Sequence, residues 1–301
     1  MASRGVPSIA RTARASCGTV RSRPRDSSPG ARWYTRAAVS TPHPERADDE
    51  LDPLRVQAVM VGMLFDPEYA LRVQGDAPLA ELTVRERSLL RAVDPRALRT
   101  DRYRRARAVA TLVEEYPVSA VVVGTAVLDR FFATAAFRAA VLGRGSMALA
   151  FGAWLGERAH GVGRLEAAMA AVRRAEDVAP AELCCAPRLR ALVVPAGTLA
   201  YHGRARERLG PDVAGAMARG DVRLAERPPQ RGHEYLLVER RDDGSIDLGT
   251  GSGPLVRLLV FAAVPRTREA LRAEAVQQGA EADEADEILD DLLAQGMLRS
   301  G

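Results

Sequence analysis

Between Leu54 and Asp177 the apolar residues return every three or four positions, and beyond Pro187 they return for a time every second position. The first spacing is that of amphipathic helices and the second that of half-buried strands. Leu54, Ala58, Val61, Leu64 and Phe65 mark the first helix. Thr83-Val84-Arg85-Glu86 announces another, as a capping box in which hydroxyl and carboxylate each accept a backbone N–H. Asp94-Pro95 supplies an N-cap and a proline at the first helical position. Asp101 opens a helix that Pro117 must end, because proline disfavours helical geometry at Tyr116 before it. Helices over about 118–134, 146–158 and 164–177 complete an all-α unit.

Pro180 and Pro187 bracket a short linker containing Cys184-Cys185. Leu189–Val194, Tyr235–Glu239 and Ser245–Leu248 then read as antiparallel strands, the last two joined across Asp242-Asp243-Gly244. Three helices follow, over about 255–263, 267–278 and 283–295. The expected fold class is therefore α+β. An all-α domain spans residues 51–180, and a small β-sheet with three helices, winged-helix-like in order, spans residues 187–301.

Residues 1–50 show no hydrophobic period and are rich in Ser, Pro, Gly and Arg, a composition that cannot offset the entropy of ordering; a disordered tail is expected. An organelle transit peptide has a similar composition, and so does a start assigned too far upstream, with Val39 the candidate true start; the second is favoured. The tail also explains the charge. Residues 1–44 carry eight Arg against Asp26, +7 in all, so the net charge of +4 leaves −3 for residues 45–301. A phosphate-binding face does not follow from that total. Every basic residue is Arg, which reflects coding bias more than binding. Cys17, Cys184 and Cys185 form no disulfide framework and fit a reducing cytoplasm. No apolar run approaches the roughly 20 residues that span a bilayer.

Few residues point to chemistry. His43, His160, His202 and His233 are scattered, whereas a metal site needs several convergent ligands at defined spacing. Cys184-Cys185 with His202 is the sole candidate, and adjacent side chains diverge, so buried or idle cysteines are the expected use. Gly249-Thr250-Gly251-Ser252-Gly253 precedes a helix but lacks a P-loop lysine, and Ser146 reads as an N-cap. No catalytic residue, metal ligand or cofactor is assigned to the chain. Arg102, Arg104, Arg105 and Arg107 form a basic cluster, read as a solvated face or a contact to an acidic partner protein.

The C-terminal helices carry a sharper signal. Residues 269–291 hold Glu269, Glu274, Glu281, Asp283, Glu284, Asp286, Glu287, Asp290 and Asp291 against Arg272 alone, and DNA phosphates would repel such a recognition helix. A hairpin leading into three helices resembles instead the peptide-clamping winged-helix domain called the RiPP recognition element. Modules of this kind hold an extended peptide as an added strand. Here Ile246 and Leu248 on the outer strand, with Ile288, Leu292 and Leu293 on the last helix, are the candidate peptide contacts, some of them serving as ordinary core.

The helical half adds a second resemblance. Leu64-Phe65-Asp66-Pro67-Glu68-Tyr69, Leu82-Thr83-Val84-Arg85-Glu86-Arg87-Ser88-Leu89-Leu90, Val93-Asp94, Arg102-Tyr103-Arg104-Arg105-Ala106-Arg107, Tyr116-Pro117 and Leu128-Asp129-Arg130-Phe131-Phe132 through Phe137 are similar to partner subunits of multinuclear non-heme iron-dependent oxidases. The resemblance implies a non-catalytic partner that binds the leader of a ribosomally synthesised precursor peptide and presents it to the oxidase, with the iron in the oxidase and the peptide and oxidase as partners. The alternative is a winged-helix DNA-binding regulator with a helical sensing domain, which the acidic third helix disfavours. A stand-alone enzyme is weaker still, for want of a nucleophile–base or metal constellation.

Overall fold

The computed structural model describes residues 51–300 apart from 78, 100, 101, 177–179 and 225. The expected disordered tail over 1–50 and the helix start at Asp101 lie outside the described residues. The described residues fall within one compact unit, Ala47–Gly301, which is mixed helix and sheet. None of the described helices is long and apolar enough to cross a membrane.

Among the described residues ten α-helices come first: α1 (Pro53–Phe65), α2 (Pro67–Gln74), α3 (Val84–Arg91), α4 (Pro95–Arg99), α5 (Arg102–Glu115), α6 (Pro117–Val123), α7 (Thr125–Phe132), α8 (Ala135–Leu142), α9 (Met147–Leu155) and, after a 3-10 turn over Gly156–Ala159, α10 (His160–Arg173). The caps read from sequence at Thr83, Asp94 and Ser146 are present, and two more at Asp52 and Asp66 join them. Asp52 accepts the N–H groups of Leu54 and Arg55 ahead of Pro53, and Asp66 accepts that of Tyr69 ahead of Pro67. The Thr83–Glu86 capping box forms in both directions, at 3.2 and 2.9 Å. Glu86 does more than cap: fully buried, its other oxygen accepts the Asp52 N–H and the Arg55 Nε at 2.9 Å each, tying α3 to α1. Burial works to raise the Glu86 pKa, and the hydrogen bonds from Thr83, Asp52 and Arg55 outweigh it, so the carboxyl lies below its ordinary 4.5.

Two details of the helical half differ from expectation. The buried face of α1 is Val59, Gly62 and Met63, while Leu54 is 71% exposed. Helix α1 lies between two clusters, with Val56, Val59, Met60 and Met63 turned to α2 and α3, and Val61 and Phe65 turned to the aromatic core of Phe131, Phe132, Phe137 and Phe151. A helix covered on two sides has no single three-four stripe. The stretch expected as helix over about 118–134 breaks at Gly124, whose φ of +77° is one that glycine adopts at little cost, giving α6 and α7.

The second half holds β1 (Cys184–Cys185), β2 (Leu189–Val194), α11 (Thr198–Leu209), α12 (Val213–Arg219), β3 (Glu234–Arg240), β4 (Ile246–Thr250), α13 (Gly253–Phe261), α14 (Arg268–Gln277), α15 (Glu284–Ala294) and β5 (Leu298–Arg299). The main sheet is antiparallel in the order β2-β3-β4, and β1 pairs with β5. The Cys184-Cys185 segment, expected as linker, is thus a strand. Helices α11 and α12, which the sequence reading passed over, return to the helical half and pack on α6 and α5.

The sheet is covered on both faces. Leu189, Ala191 and Leu237 join the cluster of α13, α14 and α15. Leu192, Val194, Leu236, Val238, Ile246 and Leu248 join Leu165, Ala168 and Val172 of α10. Helix α10 therefore has apolar residues on nearly all sides, because it serves the helical core and the sheet together. Gly152 permits its close approach to α9, since a Cβ there would stand 2.9 Å from that of Ala167.

Candidate functional site

The strand β4 is an edge. Its turn is closed by the Arg241 N–H on the Ser245 carbonyl at 2.8 Å and the Gly244 N–H on the Arg241 carbonyl at 2.9 Å, with Gly244 at φ +82°. This is a type I turn followed by a left-handed residue, a common three-residue hairpin loop. Asp243 accepts the Ser245 N–H at 2.8 Å, and its bonds to Ser245 hold its carboxyl below the ordinary value.

Pairing sets which backbone groups are spoken for. Arg241 bonds to Ser245, and the Gly251 N–H donates to the Tyr235 carbonyl at 3.0 Å. Bonded and non-bonded pairs alternate along an antiparallel ladder, so between those ends Asp247 and Gly249 bond to β3. The N–H and C=O groups of Ile246, Leu248 and Thr250 then point outward. Among the described residues no hydrogen bond reaches them.

The opposite edge, β2, is treated differently. The Arg240 N–H donates to the Arg188 carbonyl, so by the same alternation Leu189, Ala191 and Val193 point outward. The Leu189 N–H donates to the Ala186 carbonyl at 2.9 Å, and the Leu189 carbonyl accepts from Arg190 at 2.8 Å. The Val193 carbonyl accepts from the Arg164 guanidinium. Native sheets blunt their edges in such ways to avoid unwanted pairing. The β2 edge is thus capped at Leu189 and at the Val193 carbonyl, with the Ala191 groups and the Val193 N–H left outward, while the β4 edge is open along its length.

Beside the open edge there is also room. Gly249 pairs with Leu237, whose side chain belongs to the three-helix cluster, so Gly249 faces that same side. A Cβ built on Gly249 would meet nothing within 4 Å. Asp247, on that side too, is exposed and bound to Arg241 at 2.7 Å.

The five residues expected to line one peptide groove are not brought together. Ile246 and Leu248 turn to α10, whereas Ile288, Leu292 and Leu293 belong to the cluster on the other face, with Leu292 only 5% exposed. The reason is the period of two: one side chain in a strand serves one face only, and α10 is the apolar cover on theirs. What β4 offers outward is backbone.

The basic cluster on α5 is also more varied than its spelling. Arg105 is half-buried, bound to Asp129 at 2.8 Å and set over the Phe132 ring. Arg104 and Arg107 are exposed, and the side chain of Arg102 lies outside the described residues. Cys184 and Cys185 lie on β1, while His202 on α11 meets Glu166 of α10 at 3.2 Å, so the three do not gather. Burial raises both thiols, Cys185 to about 11, a setting that keeps thiols unreactive.

A comparison with known protein-family models returned no match, and neither did a search of curated proteins.

Proposed function

We propose that the chain is a non-catalytic partner protein that takes the leader of a ribosomally synthesised precursor peptide as an added strand on β4 and presents it to an iron-dependent oxidase. The observation that carries this reading is the contrast between the two sheet edges. An extended peptide gains main-chain hydrogen bonds at an open edge and sequence selectivity from whatever flanks it. The uncapped groups of Ile246, Leu248 and Thr250, with free space above Gly249, meet both needs, and the partly capped β2 edge offers a peptide fewer free groups than β4. The β3–β4 hairpin followed by three helices supports the likeness to a recognition-element-like winged helix, from which the α11–α12 pair between β2 and β3 departs. The exposed Arg104 and Arg107 on α5 are the contact offered to the oxidase.

Co-expression with a candidate oxidase and its precursor peptide, followed by size-exclusion chromatography, tests the assignment. A ternary complex whose oxidase modifies the peptide only when this chain is present is the expected result. Separate elution of the two proteins at micromolar concentration, with full modification lacking this chain, overturns it.

A further inference from the structure

The residues of β4 leave its free edge unguarded. Native edge strands carry proline, a bulge, an inward charge or a covering loop against pairing with another chain. Ile246-Asp247-Leu248-Gly249-Thr250 has no proline, and its register with β3 runs without a bulge from Arg240↔Ile246 to Leu236↔Thr250. Its one charge, Asp247, is bound to Arg241 at 2.7 Å. Among the described residues no hydrogen bond reaches the outward groups of Ile246, Leu248 and Thr250, and Asp247, Gly249 and Thr250 are exposed.

The strand is complementary to a second copy of itself. Two identical edges close on each other only through a two-fold axis, and therefore antiparallel. With the axis at Leu248, that residue faces its own copy and Ile246 faces Thr250 of the second copy. All the outward positions are then hydrogen-bonded pairs, each exchanging two bonds. Asp247 faces Gly249 of the second copy, where a Cβ would meet nothing within 4 Å, so the Asp247–Arg241 pair has room. On the other face the half-buried Leu248 gains a leucine neighbour and Ile246 gains the β-branched Thr250. Moving the axis to Asp247 sets two aspartates side by side and leaves Thr250 outside the pairing. Moving it to Gly249 leaves out Ile246. Charge and bond count both select the Leu248 register.

We propose that the free chain closes its open edge by pairing β4 with β4 of a second copy, in a weak two-fold dimer centred on Leu248. The inference goes beyond the strand-addition reading and stands on the edge alone, since no peptide enters it. Two strands of five residues cover far less than the roughly 1,200–2,000 Å² that stable interfaces bury, so the dimer is transient and fills by mass action. A peptide added to β4 takes the same backbone groups as the second copy. The two occupants exclude each other, and the dimer is the resting state that a leader opens.

Sedimentation equilibrium of the full-length chain, with no peptide present and from about 5 to about 500 µM, tests the proposal. The weight-average mass should climb from one chain toward two, with no larger species. Ile246→Pro and Thr250→Pro each delete an outward donor on both sides of the axis and should lower the association constant at least tenfold. Gly249 tests the register. Its φ lies outside the left-handed region and its side is open, so a side chain there leaves the fold intact. Gly249→Asp sets a carboxylate beside Asp247 of the second copy and should weaken association several-fold, whereas Gly249→Lys sets an ammonium there and should strengthen it. Circular dichroism checks that each variant is folded, and the two Gly249 variants decide the matter should a proline unsettle β4. A chain that stays monomeric at about 500 µM overturns the proposal and leaves the edge to a peptide alone. Association that ignores both prolines, or that responds alike to Asp and Lys at position 249, overturns it too. Failure of strand addition is a different result: labelled leader whose binding ignores Ile246→Pro, with the dimer unchanged.

Discussion

Glu166 and His202 meet at 3.2 Å between α10 and α11, and both are buried. The same carboxylate accepts the N–H groups of Val118 at 3.1 Å and Ser119 at 2.9 Å, which are unpaired donors in the first turn of α6. One side chain thus caps a helix distant in sequence and holds a histidine on a third element. Tyr116 before α6 has no side chain that caps it, so Glu166 supplies what the local sequence lacks.

Removing that carboxylate should be severe. Glu166→Ala leaves two helix N-terminal donors and His202 without their acceptor and should cost about 3–5 kcal/mol, the range for breaking a buried charged contact. Glu166→Gln keeps one acceptor oxygen and should cost less. Urea unfolding at pH 7 measures both; equal, small losses would mean that water reaches α6 and replaces the carboxylate.

Acid should weaken the fold through two other carboxylates. Glu86 lies below its ordinary 4.5, and so does Glu115, where burial works to raise the value and Arg174 and Arg173 outweigh it. A carboxyl whose folded value is depressed stabilises the fold above its unfolded value and loses that contribution as pH falls through the folded one. The urea midpoint should therefore be flat from pH 7 to about 5 and fall below about 4.5. Glu86→Gln should start lower and show a shallower fall.

The open edge predicts a selective effect of proline. The Ile246 N–H points away from β3, so Ile246→Pro removes no ladder bond and should leave the chain folded. It deletes an outward donor and should weaken leader binding by roughly 1–2 kcal/mol, some tenfold, if that donor pairs with the peptide. Asp247→Pro breaks the ladder itself and should destabilise the hairpin. Anisotropy of labelled leader with circular dichroism separates the two; unchanged affinity in folded Ile246→Pro places the peptide elsewhere.

Gly249→Trp tests the space beside the edge. The new side chain meets no atom of the fold near its Cβ, so stability should change little while leader binding falls. Equal affinity in the tryptophan variant would show that the peptide does not use this side.

Leu292→Asp probes stability, not a binding groove. Leu292 is buried among Leu258, Leu259, Leu271 and Leu289, so an aspartate there loses apolar burial and buries a charge, at a cost of about 3 kcal/mol or more. A drop in the unfolding midpoint is the expected readout, and a folded variant with only weakened peptide binding would return Leu292 to the groove.

The sequence by itself determined the local elements. Proline and Asp or Thr caps set the starts of α1, α2, α3 and α4, Pro117 set the break after α5, and alternation with a Gly-containing turn set β2, β3 and β4 close to their observed ends, because each of these signals acts within a few residues of itself. It also singled out β4 as the candidate outer strand. Only the tertiary structure decided what covers each apolar face. A period of two says that Ile246 and Leu248 share a face, but not that α10, some 75 residues earlier, lies against it and takes them away from α15. Nor does any local pattern announce that Arg164 caps the Val193 carbonyl or that Glu166 caps α6. Those contacts depend on packing between residues far apart in the chain, and they help to leave one sheet edge partly capped and the other open.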